Sequence, residues 1–323
     1  MNEEFTIEHE GMALFCKRFA PDEKPDAPKR GHASRLPDTE RLSNASELAA
    51  EGECRAKGAE GKEEAVQRRP PILMLHGGLV DCDFFDDAAA VLSRLFDVVT
   101  FDRRGYGRSD DPPSGEYSLE VQAEDAYAVA LACFDGPFML LTHSVGASIG
   151  LELIARHPDA VQQALCYEPP VPKCLPPGSP VSARIAKAWA KTCSGVPIGS
   201  IGDGFLFGLA PKDNERAYEP SVGERARSAR NTACSAAHEG DIFTQFQPDY
   251  EALTRVPLVV GLGEMDRHEP VGAIVEAFAQ RANAPLVHFP GAHNCPADLP
   301  YDFACMAAGI LLAGRPLSSD LRC

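Results

Sequence analysis

Apolar and polar residues alternate on both sides of His9-Glu10-Gly11 in FTIEHEGMALFCKRFA, residues 5–20, which predicts a β-hairpin. From Pro71 onward the period switches from element to element. PILML before His76-Gly77-Gly78, DVVTF before Asp102, FMLL before Thr142-His143-Ser144 and VQQALCY before Glu168 are short apolar runs, as buried strands require. Between them, Phe84 to Phe96, Ser118 to Phe134 and Val145 to His157 space their apolar residues as helices do, and Ser118 is placed as an N-cap. After Pro257 the alternation resumes: VPLVVGLG as strand, Val271 to Ala282 as helix, PLVHF as strand, and a last helix from Tyr301 to Leu312. Strands alternating with helices predict a mostly parallel sheet with helices on both faces.

Two stretches break the alternation. Residues 21–70 contain no Phe, Trp or Tyr, and about two in five are charged, so they cannot bury enough apolar surface to offset the entropy of ordering. This is expected to be a charged, flexible insertion. Residues 171–250 carry clustered prolines, a short helical piece from Ser182 to Thr192, the single Trp189 and the cluster Phe205-Leu206-Phe207. The remaining segments, 1–20, 71–170 and 251–323, form the expected core.

Composition narrows the classes. Of 323 residues, 44% are hydrophobic and 24% charged, as in a globular protein. The net charge of −16 repels phosphate backbones and argues against nucleic-acid binding. The apolar runs are too short to span a bilayer, and MNEEFTIEHEG lacks the pattern of a signal peptide. The 11 cysteines include no Cys-x-x-Cys pair, so reduced thiols in a cytoplasm are expected, with Cys133, Cys166 and Cys305 packed among apolar neighbours. The nine histidines are scattered, and neither a metal nor a cofactor is expected.

The sharpest chemistry is THSVG, 142–146, between a strand and a helix. A serine on such a turn projects its hydroxyl from the sheet top, and the N–H of Val145 opens the helix where it can meet an oxyanion. Thr142 stands where the G-x-S-x-G pattern has glycine. A serine nucleophile needs a base and an orienting acid, in the order Ser, acid, His. Glu264-Met265-Asp266 follows one strand and Gly291-Ala292-His293 the last, so Asp266 and His293 are candidates at the same sheet edge as Ser144. Glu168, after VQQALCY, is the alternative acid. His76-Gly77-Gly78 ends a strand at that edge, where a glycine N–H can serve as a second oxyanion donor.

HGG at 76–78, FDRRGYGRS at 101–109, THSVG at 142–146, GEMD at 263–266 and GAHN at 291–294, in this order, resemble the α/β-hydrolase fold superfamily. The resemblance implies an α/β-hydrolase sheet with a helical lid over 171–250. It implies Ser144 as nucleophile, His293 as base and then acid, Asp266 as orienting carboxylate, and Gly78 and Val145 as oxyanion donors. It makes His143 and His76 supporting residues, and Asp102, Arg103, Arg104 and Arg108 a structural turn. Leu79, Trp189, Phe205, Phe207, Phe243 and Phe246 are candidate pocket residues. The expected activity is hydrolysis of an ester, thioester or lactone of a small hydrophobic molecule through an acyl-enzyme. Carbon–carbon bond hydrolysis, perhydrolysis and a catalytically weak ligand receptor are the alternatives.

Overall fold

The computed structural model describes residues 2–21, 69–113, 116–184, 187, 222–240 and 245–313. Strands β1 (Glu3–His9) and β2 (Met12–Phe19) form the expected hairpin, and their turn sets Glu10 and Gly11 at φ 49° and 78°, as a two-residue hairpin loop demands. β2 pairs antiparallel with β4 (Asp97–Phe101). From there the sheet is parallel, with β3 (Pro71–Leu75), β5 (Phe138–His143), β6 (Val161–Tyr167), β7 (Leu258–Gly263) and β8 (Leu286–Phe289). The strand order is β1-β2-β4-β3-β5-β6-β7-β8.

Strand side chains separate by parity, as the period-2 pleat requires. Leu73, Leu75 and Leu140 face one way. They pack with Ala126 and Val129 of α2 (Leu119–Cys133), Leu151 and Ile154 of α3 (Val145–Arg156), and Ile274 and Phe278 of a helix that follows β7. Ile72, Met74, Met139 and Leu141 face the other way, onto Ala88 and Leu92 of α1 (Asp86–Leu92) and Phe303 and Leu311 near the C-terminus. Both faces of the central strands are therefore dry, and β5 is buried at every position.

Three longer helices lie further along the chain: α4 (Val222–His238), α5 (Pro270–Ala282) and α6 (Pro300–Ala313). The Ser118 hydroxyl caps α2, accepting from Val121 N at 3.2 Å. Phe84 to Phe96 is less helical than its spacing suggests. A 3-10 turn, Cys82–Phe85, capped by the Asp81 side chain, precedes the seven-residue α1. Cys166 is buried and Cys133 half-buried, but Cys305 is exposed, on the outward side of α6. Residues 22–68 of the expected insertion, most of the Ser182 to Thr192 piece, and Trp189, Phe205, Phe207 and Phe243 lie outside the described residues. Among the described residues no helix is long and apolar enough to cross a membrane, and no cluster of His, Cys, Asp and Glu could hold a metal ion.

Candidate active site at the carboxyl edge of the sheet

Ser144 sits between β5 and α3 at φ 52°, ψ −126°, a conformation that costs an L residue on the order of 1–3 kcal/mol and persists only where neighbours impose it. The neighbours are specific. The Ser144 N–H donates to Tyr167 O at 2.9 Å, tying the turn to β6. A Cβ on Gly146 would strike the carbonyls of Leu75 and His76, so only glycine lets α3 start this close to β3. Thr142 fits at the elbow's first position because Gly150 faces it one strand-to-helix layer away. A Cβ at 150 would lie 2.7 Å from the Thr142 methyl.

The loop after β3 lies against this turn. A Cβ on Gly77 would sit 2.9 Å from Ser144 Cβ, and one on Gly78 would sit 3.5 Å from a Val145 methyl. Leu79 follows at φ 68° and is half-buried. His76 is fully buried and neutral: burial, then the Arg103 cation, push its pKa down to about 3. Its Nε2 accepts from Arg103 N at 3.1 Å, so Nδ1 carries the proton and donates to Gly77 O at 2.8 Å. Arg103 itself donates from Nη2 to Gly77 O at 2.9 Å.

His293 lies on the loop past β8. Tyr167 OH donates to Ala292 O at 2.8 Å, and Met265 N to Gly291 O at 2.9 Å, so strands β6 and β7 both hold this loop. His143, next to the serine, stacks on Phe84 at 4.6 Å, and its Nε2 donates to His293 O at 3.0 Å. His143 is thereby a brace for the His293 loop, and burial lowers its pKa.

The carboxylate against His293 Nδ1 is that of Glu168, at 2.5 Å. Asp266, the acid that the resemblance implies, is not the carboxylate at this contact; Glu168, the alternative, is. Glu168 follows β6 at φ 49°, is fully buried, and takes Gly263 N onto its other oxygen at 2.8 Å. The left-handed turn immediately before Pro169 aims the side chain along the sheet edge toward His293. Asp266 ends a 3-10 turn after β7 and is equally buried. Burial pushes Glu168 up to about 8 and His293 down to about 3, while the Gly263 N–H works the other way on Glu168, toward the carboxylate. Glu264, two residues before Asp266, is exposed and lies 3.2 Å from His288 Nδ1.

Helix α4 contributes residues that the sequence did not single out. Arg227 pairs with Asp81 and Asp83 at 3.0 and 2.6 Å. Arg230 donates to Gly107 O, Ser109 O and Asp111. Asn231 accepts from Gly107 N at 2.8 Å. Glu239, just past the helix, is fully buried and accepts from Arg103 Nη1 and Tyr117 OH, each at 2.9 Å, and from Ser235 Oγ at 2.7 Å. In the turn beneath, Asp102 accepts from Cys82 N and Arg108 N, and Arg104 makes a bidentate pair with Asp125. These are structural placements. Phe246, a pocket candidate, is instead part of the main core. The only advance signal for Glu239 is a carboxylate following a polar helical face.

The α/β hydrolase fold family matches residues 70–253. A 235-residue stretch is 25% identical to 2-(acetamidomethylene)succinate hydrolase of Mesorhizobium japonicum, covering 70% of this chain and 81% of that protein. A shorter stretch of 101 residues is 39% identical to the uncharacterized hydrolase YraK of Bacillus subtilis, spanning 31% of this chain and 37% of the relative's length. A putative lipase of Acinetobacter baumannii superposes with a TM-score of 0.66 at 14% identity, covering 97% of this chain and 91% of the other.

Proposed function

Because the chain belongs to the α/β-hydrolase fold family and its relatives are named hydrolases, we propose that it is a serine hydrolase acting on a small ester, thioester or lactone through an acyl-enzyme. The observation that carries this is the 2.5 Å contact between Glu168 and His293 Nδ1, at the sheet edge where Ser144 holds its strained turn. In this reading Ser144 Oγ attacks the acyl carbon and its proton passes to His293 Nε2. Glu168, rather than Asp266, fixes the imidazole tautomer and stabilises the imidazolium. The N–H groups of Val145 and Gly78 meet the oxyanion, with the α3 dipole behind Val145. The tetrahedral intermediate collapses, the leaving group takes the proton back from Nε2, and water repeats the sequence on the acyl-enzyme. No cofactor takes part in these steps. The free buried thiols Cys16, Cys82, Cys166, Cys234 and Cys295 support a reducing, cytoplasmic setting.

The test is fluorophosphonate labelling followed by turnover of p-nitrophenyl esters of graded acyl length. Label is expected on Ser144, and Ser144→Ala is expected to lose on the order of 10⁶-fold in kcat. Label elsewhere, or activity within tenfold of the parent, sinks the assignment. Labelling without turnover of any acyl substrate favours a ligand receptor on this fold.

A further inference from the structure

The proposed oxyanion donor, Gly78 N–H, belongs to the same peptide unit as Gly77 C=O. That unit is trans, so its N–H points away from its carbonyl. Whatever grips the carbonyl therefore aims the donor. The grip is unusually strong: Gly77 O accepts from His76 Nδ1 at 2.8 Å and from the Arg103 guanidinium at 2.9 Å. A cation on the carbonyl also polarises the peptide and makes its N–H a better donor. Arg103 can serve this way only if its charge is balanced, because it is almost fully buried. Glu239 supplies the balance. Its Oε1 meets Arg103 Nη1, and its Oε2 lies 2.9 Å from where a Gly78 Cβ would be, so the carboxylate also packs against the donor residue. Gln122 Oε1, 2.6 Å from Arg103 Nη1, completes the cradle.

We propose that Arg103, held by Glu239 at the end of α4, is a positioning residue that aims and polarises the Gly78 N–H toward the oxyanion. This inference rests on the serine-hydrolase reading. It makes α4 part of the apparatus of transition-state stabilisation, not merely a cover.

The experiment compares kcat, KM, melting temperature and the Ki of an alkyl boronic acid, whose tetrahedral serine adduct places an oxygen where the oxyanion forms. The variants are Arg103→Met/Glu239→Leu, which removes both buried charges together, and Arg103→Lys, which keeps the charge but loses the fork. Arg230→Ala is the control, since it loosens α4 at contacts remote from Gly77. The double variant is expected to lose about 10²–10³-fold in kcat, the range for one oxyanion donor, with boronate Ki rising in parallel and KM within threefold. Arg230→Ala is expected to lower the melting temperature with kcat and Ki unchanged. Arg103→Lys, which decides the matter if the double variant does not fold, is expected to lower kcat at unchanged KM. Variants with kcat and Ki within threefold of the parent, or an Arg230→Ala loss as large as theirs, overturn the proposal. Fluorophosphonate labelling of the parent at Ser144 separates the two readings. Labelling with unaffected variants overturns this inference alone, and absence of labelling overturns both.

Discussion

Helices α4 and α5 each turn one face to the body and fill it with opposite chemistry. α5 turns Val271, Ile274, Val275 and Phe278 into the core, and its Gly272 abuts the carbonyls of Asp266 and Arg267 behind the acid loop. α4 turns Arg227, Arg230, Asn231 and Ser235 onto loop carbonyls and carboxylates, with Glu239 beyond. The two helices thus back the two ends of the candidate site, α5 the acid end and α4 the oxyanion end. Apolar packing tolerates small shifts, whereas paired charges and forked hydrogen bonds hold only in one register. The acid end therefore gains robustness, and the oxyanion end gains direction.

The largest expected effect tests the acid end. Glu168→Gln should cost about 10⁴-fold in kcat by favouring the wrong imidazole tautomer. Asp266→Asn should stay within about tenfold. Steady-state kinetics on both variants decide, and the reverse ranking would restore Asp266 as the acid.

Next in size is the packing beneath that end. Phe278→Ala should destabilise the fold by about 3–5 kcal/mol through a core cavity. A loss under about 1 kcal/mol in urea unfolding would show that α5 is not the apolar support it appears in contact with Tyr250 and the sheet.

Mild acid should separate the two ends. Below the ordinary histidine value of about 6.5, the unfolded chain binds protons that buried His76, His143 and His293 refuse. Stability should then fall with decreasing pH, by about 1.4 kcal/mol per unit for each histidine. Glu168, raised to about 8, acts with opposite sign and offsets one of the three between its unfolded value and 6.5. Glu239, Asp83 and Asp102 are held low, against burial, by Arg103, Arg108 and Lys17, so the contacts of α4 lose stability only in stronger acid. Melting temperature should hold or rise slightly from pH 7.5 to 6.5, where Glu168 acts without the histidines, and drop from 6.5 to 5; no drop below 6.5 would break this contrast. The acid limb of the pH–rate profile should lie below 6.5, because burial keeps His293 neutral.

The smallest effect is expected at the rim of α4. Arg230→Ala removes three hydrogen bonds, one of them to the exposed Asp111, and should cost about 1–3 kcal/mol. An unchanged melting temperature would mean that these contacts add nothing measurable.

The same contrast explains what was legible in the sequence. Hydrophobic period is written locally, so FMLLTH, DVVTF and the Val271 to Ala282 helix announced themselves, and so did the serine on its turn. Glu168 and Asp266 both follow strands, and no local pattern separates them. The choice depends on a left-handed backbone turn at 168 and on where the β8 loop delivers His293, 125 residues later. Glu239 meets Arg103 across 136 residues, and a polar helical face ordinarily signals solvent, so nothing local marked it as buried.

The contact between Thr142 and Gly150 bears on how such a chain changes over generations. While threonine stands at 142, alanine at 150 would collide with its methyl group, so that route is closed. Replacing Thr142 by glycine first leaves only the Leu140 methyl, 3.1 Å from the new Cβ, to give by a few tenths of an ångström, and alanine at 150 then regains helix propensity that glycine forfeits, about 1 kcal/mol. The two positions are therefore ordered steps on one mutational path, passable in one direction and blocked in the other.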